Sequence, residues 1–157
     1  MIAEAGDAAG IAACRELFRE YQRSLGIDLG YQDFEHELAT LPGKYAPPRG
    51  RLLLARAGGD LLGCGALRPL DDGECEMKRL YVRPAARGTG LGRALAARLV
   101  AIAREQGYAR LRLDTLPAMG PAQRLYEGLG FRDTPAYYDT PVAGTRFMAL
   151  DLSAAGS

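Results

Sequence analysis

Apolar residues recur along this chain with two different periods. Ile11, Cys14, Phe18, Tyr21 and Leu25 stand at helical spacing behind Asp7, a capping residue, and Gly26 stops the run. Phe34 to Leu41 predicts a second, short helix ended by Pro42-Gly43, while Met1–Ala5 predicts a short first strand. Residues 27–33 and Lys44–Gly50, the latter with Pro47 and Pro48, predict irregular connections. The pattern then turns strand-like. Arg51–Ala57 and Asp60–Arg68 flank Gly58-Gly59, the signature of a two-residue hairpin. Asp71-Asp72-Gly73 predicts a turn and Glu74–Val82 a third hairpin strand. Over Gly90–Gln106 the helical period returns, with Leu91, Leu95, Leu99 and Ile102 on one face, Arg98 outward and Gly107 at the end. Arg110–Thr115 alternates as a strand. Pro121 opens a last helix carrying Ala122, Leu125, Tyr126 and Leu129, which Gly130 ends. Phe131–Tyr138 and Arg146–Leu152 predict the final strands.

The elements run βα(α)βββαβαββ. Helices interrupting a series of hairpin strands predict an α+β fold in three layers. Its centre is a mixed, mostly antiparallel sheet of roughly six to seven strands, flanked by about four helices. With 157 residues the chain fits one domain, placed at 1–152, with 153–157 as a flexible tail.

Composition narrows the function. The net charge is +1 and basic residues are mixed with acidic ones, so no nucleic-acid partner is expected. No apolar stretch approaches about 18 residues, and the opening MIAEAGDAAG has no basic start followed by an apolar run. Neither a membrane partner nor a signal peptide is expected, and the expected location is the cytoplasm. Cys14, Cys64 and Cys75 have no CxxC spacing and read as reduced core residues. His36, the single histidine, sits in the polar stretch Asp33–Glu37 and reads as a surface residue. One histidine and three scattered cysteines suggest no metal site.

The chemistry concentrates in Arg83–Arg93, RPAARGTGLGR, between a strand and an amphipathic helix. Gly88, Gly90 and Gly92 permit positive φ and close backbone approach. The free N–H groups of such a turn, with the positive end of the helix dipole, bind phosphate. Arg83, Arg87 and Arg93 can add charge without a metal. A Walker A loop requires Gly-Lys-Ser/Thr where Gly92-Arg93-Ala94 stands. A dinucleotide fingerprint requires glycine where Arg93 stands. The remaining pattern, R-x-x-G-x-G, is filled by Arg87, Gly90 and Gly92.

That pattern resembles the coenzyme A pyrophosphate loop of the GCN5-related N-acetyltransferase (GNAT) superfamily. MKRLYVRPAARGTGLGRAL resembles its fourth strand, loop and third helix, and AQRLYEGLGF resembles its A-x-x-L-Y-x-x-x-G-F segment. The longer combination through PAYYDTPVAGTRFMAL is similar to a small bacterial single-domain branch, and the likeness spans 74–150. The resemblance implies the acyl-CoA N-acyltransferase fold and acetyl-CoA as co-substrate. It also implies transfer to a primary amine of a small molecule or peptide by direct attack on the thioester. It places coenzyme A contacts at Leu80, Tyr81, Val82, Arg87, Gly88, Thr89, Gly90, Leu91, Gly92 and Arg93. Strand four is implied to splay from strand five over Glu76–Val82, so that the backbone of Leu80 and Val82 binds the pantetheine arm. An N–H there would polarise the thioester carbonyl.

A lysine-type amine, with pKa about 10.4, must lose a proton before attack. The resemblance gives that task to Glu76, directly or through water, with Glu74 in reserve on the same face. It sets Tyr126 at the leaving sulfur as acid. Met119 stands where many family members carry asparagine, a loss that Asp114 and Thr115 could offset. Acceptor-pocket candidates are Tyr21, Tyr31, Asp33, Tyr45, Tyr137 and Tyr138, and Asp28 or Asp33 could attract an amine. Eight tyrosines and no tryptophan suggest polar-tipped walls. The alternative is a non-catalytic acyl-CoA-binding sensor or subunit, against which Glu76 and Tyr126 argue. An exposed strand edge after residue 146 makes a homodimer a candidate assembly.

Overall fold

The computed structural model of the protein describes residues 1–152; the expected tail at 153–157 lies outside the described residues. β1 is Ile2–Glu4. Asp7 accepts the Gly10 N–H at 2.7 Å and starts α1 (Ala8–Leu25), which Gly26 ends at φ +66°. A 3₁₀ turn at Leu29–Gln32 occupies the expected loop and leads into α2 (Phe34–Ala39). Then come β2 (Arg51–Ala57), β3 (Asp60–Pro69), β4 (Glu74–Val82), α3 (Leu91–Glu105), β5 (Arg110–Thr115) and α4 (Gly120–Gly128). The chain closes with β6 (Arg132–Asp133) and β7 (Arg146–Asp151).

The strands form one sheet in the order β1-β2-β3-β4-β5-β7-β6, and among the described residues only the β4–β5 pair is parallel. Alternation along β2 explains the three layers. Leu53 and Ala55 point into a core with α3 and α4, whereas Leu52 and Leu54 point into a second core with α1 and α2. The three cysteines are free and buried, as their apolar settings predict.

One irregularity positions the site. In the β3–β4 pairing Cys64 faces Tyr81 but Ala66 faces Lys78, so Arg79 and Leu80 together oppose Gly65. Arg79 is the bulged residue, at φ +59°. The extra residue reverses the facing of β4. Cys75 and Met77 before it, and Leu80 and Val82 after it, pack towards α3 and α4, while Tyr81 joins the α1/α2 core. Gly65 is small for a reason: a Cβ there would stand 3.0 Å from Leu99 of α3.

The expected strand Phe131–Tyr138 is corrected to two residues. Arg132 and Asp133 pair with β7, and the Thr134 N–H still donates to the Phe147 carbonyl at 2.9 Å. Pro135 offers no N–H, and pairing stops there. Tyr137 and Tyr138 leave the sheet and set their rings edge-on to Phe147, both at 5.3 Å between centroids. β7 pairs with β5 along its whole length and with β6 at two positions, so it is not the outermost strand.

Candidate active site

β4 and β5 pair at only three positions, Glu74, Cys75 and Glu76 against Arg110, Leu111 and Arg112. Beyond them the strands part, and among the described residues Met77–Val82 has no strand partner on that side. Arg83 donates its N–H to the Leu62 carbonyl of β3 at 2.8 Å. By alternation, the backbone groups of Leu80 and Val82 face the open edge, whereas those of Tyr81 face β3. The Val82 carbonyl accepts Arg87 Nε at 3.1 Å.

The loop from Arg87 into α3 bends through Gly88 (φ +78°) and Gly90 (φ +83°). Gly92 is different. It lies in the first helical turn, and a Cβ there would make only ordinary contacts, 3.5 Å from Leu125 and 3.6 Å from Val82. The fold does not demand its smallness. Among the described residues, the N–H groups of Gly88 through Arg93 donate to no protein acceptor. Six donors thus gather at the positive end of a 15-residue helix, an arrangement whose charge and geometry suit an anion. The side chains of Arg87 and Arg93 are exposed beside it. Arg83 does not join them. Its guanidinium forms a two-point ion pair with Glu20 of α1, so the expected charge from Arg83 is engaged elsewhere.

Glu76 lies in the pairing half of β4 and is wholly out of solvent contact. Its carboxylate accepts Arg68 Nε at 2.7 Å and the Tyr137 hydroxyl at 2.5 Å, and Lys78 Nζ stands 3.8 Å away. Glu74 is tied to Arg112 of β5. Tyr126 on α4 is buried with its ring edge-on to Phe131 at 5.8 Å, and its hydroxyl has no hydrogen-bond partner among the described residues. Burial pushes the Tyr126 phenol well above its ordinary pKa.

Two hollows meet at the parted strands. A small one of about 20 Å³ is lined by Tyr126, Leu80, Asp114, Leu116, Met119 and Tyr21, among others. A larger one of about 580 Å³ lies under α2 and is lined by residues including Tyr45, Arg68, Glu76 and Tyr138, with Asp33 and His36 at its exposed rim. Tyr31, Gln32 and Lys78 border both. Of the acceptor-pocket candidates, Tyr31, Asp33, Tyr45 and Tyr138 line the larger hollow. Tyr21 belongs to the smaller one, its hydroxyl pushed up to about 12 by burial. Tyr137 sits behind Glu76. Asp28 lies outside both hollows and caps its own 3₁₀ turn, accepting the Gly30 N–H at 2.8 Å. Asp114 accepts the Tyr138 hydroxyl at 2.5 Å, whereas the Thr115 hydroxyl is buried without a partner among the described residues.

Three basic residues of the site escape sequence reasoning. Lys78 is half-buried between Glu76 and Asp114, at 3.8 and 3.9 Å, and desolvation lowers its pKa against the pull of Glu76. All three guanidinium nitrogens of Arg79 are engaged, by Glu37 and Gln32. Arg68 reaches in from β3. The available signal is the charged triplet of Glu76, Lys78 and Arg79 inside an otherwise apolar strand.

Among the described residues, no cluster of three or more metal-ligating side chains occurs, and no helix is long and apolar enough to cross a membrane.

The fold and the parted strands define an N-acetyltransferase. The model of the Acetyltransferase (GNAT) family matches residues 11–131, and the chain belongs to that family. It is 43% identical to an uncharacterized N-acetyltransferase from Schizosaccharomyces pombe, over 87% of this chain and 85% of that one. A GNAT-family acetyltransferase from Staphylococcus aureus shares the fold with a TM-score of 0.79 at 22% identity, covering 97% of this chain and 98% of that one. A Bacillus subtilis acetyltransferase solved in complex with CoA matches at a TM-score of 0.57 and 21% identity, over 66% of this chain and 77% of that one.

Proposed function

We propose that this chain transfers the acetyl group of acetyl-CoA to a primary amine of a small molecule or peptide, by direct attack of the amine on the thioester. The observation that carries the reading is the set of six unpaired N–H groups from Gly88 to Arg93. Each hydrogen bond to a charged phosphate oxygen contributes about 1.5–3 kcal/mol, so a few suffice to hold a pyrophosphate. Arg87 and Arg93 add charge at the rim. The thiol arm then follows the open edge of β4, bonded to the backbone of Leu80 and Val82. Arg87 must release the Val82 carbonyl for the arm to use it.

The same edge supplies electrostatic catalysis. The Leu80 N–H points into the gap, where it stabilises the negative charge that develops on the thioester oxygen. Tyr126 donates a hydrogen bond to the departing sulfur. Full proton transfer from a phenol of pKa about 10 to a thiolate of pKa about 8.5 is uphill by about 2 kcal/mol, and burial makes it steeper. Tyr126 therefore acts as a donor that keeps its proton.

Glu76 takes the proton from the amine. Its carboxylate is buried at the wall of the larger hollow and already holds Arg68 and Tyr137, so the proton reaches it through a water in that hollow. Glu74, held by Arg112, stays outside this route.

Thiol release from acetyl-CoA in the presence of an amine panel tests the proposal. Turnover with at least one amine is expected. Coenzyme A binding without turnover would leave only a binding protein.

A further inference from the structure

Two arginines border the hollows in different states, Arg79 the smaller one and Arg68 the larger. Arg79 is 2% exposed, with Nε and Nη2 on Glu37 and Nη1 on Gln32 at 2.8 Å. Arg68 is 24% exposed, and only its Nε is engaged, by Glu76 at 2.7 Å. Among the described residues, Nη1 and Nη2 of Arg68 donate to nothing, although the residue lines the hollow. A guanidinium edge with two free parallel donors is the geometry that grips a carboxylate.

We infer that the acceptor is a zwitterionic amino acid whose carboxylate binds the free edge of Arg68. Its amine is directed at the partition of Tyr31, Gln32 and Lys78 shared by the two hollows. The inference rests on the acetyltransferase reading above and narrows its substrate.

Charge supports the zwitterion over a polycation. Inside the larger hollow, Arg68 and Lys78 balance Glu37 and Glu76, and each of these carboxylates already has a cation beside it. At the exposed rim, Lys44 and Asp33 line the same hollow with opposite charges. A polyamine would bring surplus positive charge to a floor with no unpaired carboxylate. A zwitterion adds none. The Lys78 ammonium at the partition also disfavours the protonated form of a neighbouring amine, which favours the nucleophilic form.

The test is acetyl-CoA thiol release by the intact protein with the common L-amino acids, their carboxamides and the corresponding decarboxylated amines. At least one amino acid should exceed its amide and its amine by about ten-fold or more in kcat/KM. In Arg68→Gln that preference should collapse through KM, with coenzyme A binding unchanged; Arg68→Lys should restore part of it. A purely structural role for Arg68 would lower rates without moving the acid-to-amide ratio. Equal or better use of amides or amines, or an unchanged ratio in Arg68→Gln, would overturn the inference alone, whereas no turnover of the whole panel by protein that binds coenzyme A would overturn it together with the acetyltransferase reading. Loss of coenzyme A binding in the wild type would instead remove the reading beneath it.

Discussion

Arg79 and Glu37 meet through two parallel hydrogen bonds, Nε to Oε2 at 2.9 Å and Nη2 to Oε1 at 3.0 Å, joining the bulge of β4 to α2 across 42 residues. The arginine adopts a left-handed backbone that costs an L-residue about 1–2 kcal/mol. Its side chain is 2% exposed and that of its partner 16%. The pair fixes the lid of the larger hollow to the strand that carries the site.

Breaking this pair from one side leaves a buried charge without compensation. Glu37→Gln is therefore expected to lower unfolding stability by about 3 kcal/mol or more. Urea denaturation measures it, and a loss below about 1 kcal/mol would show that the pair does not anchor the bulge.

Gly90 and Gly92 separate folding from binding. Alanine at Gly90, where φ is +83°, should destabilise the protein by about 1–2 kcal/mol and also weaken coenzyme A binding. Alanine at Gly92 meets no strain and only ordinary contacts. It should melt like the wild type while binding coenzyme A more weakly, because the phosphates are held against the backbone of this turn. Thermal melts paired with titrations distinguish the two; a Gly92→Ala protein with unchanged affinity would move the phosphates away from this turn.

How far the sequence reveals the site follows from which forces are local. The borders of β2, β4 and β5 are legible because hairpin glycines and strict alternation are properties of neighbouring residues. The glycine loop is legible for the same reason. The bulge at Arg79 is not, since an extra residue changes the pairing without altering the composition of the strand. Arg83 looks like part of the phosphate loop from its position, but Glu20, distant in sequence, claims it. Tyr137 and Tyr138 continue an apparent strand pattern, yet Pro135 ends the pairing and their hydroxyls turn to Glu76 and Asp114. A distant charge thus decided Arg83, whereas a local proline freed the two tyrosines to reach distant carboxylates.

Tyr126→Phe removes one hydrogen bond and almost no volume. With the phenol donating to the departing sulfur, kcat should fall about ten-fold or more while the affinity for acetyl-CoA stays near wild type. Steady-state kinetics alongside direct binding measure both terms, and an unchanged kcat would take Tyr126 out of the chemistry.

The ion pair of Glu20 and Arg83 makes stability depend on acid. The hydrogen bond from Arg83 holds the Glu20 carboxyl below its ordinary value, so its contribution is complete above that value and disappears as pH falls through the lowered one. Glu20→Gln should thus cost about 1 kcal/mol or less at neutral pH, given partial screening by solvent, and the gap from wild type should narrow in acid. Denaturation across a pH series checks the sign. A gap that widens in acid would assign the stabilisation to some other contact.

The most direct measurement is calorimetric titration of coenzyme A into the purified protein. The free amides at the start of α3 predict saturable, roughly one-to-one association well below millimolar concentration, weakened by added pyrophosphate. No heat of association at millimolar coenzyme A, from protein shown to be folded, would contradict the account at its foundation.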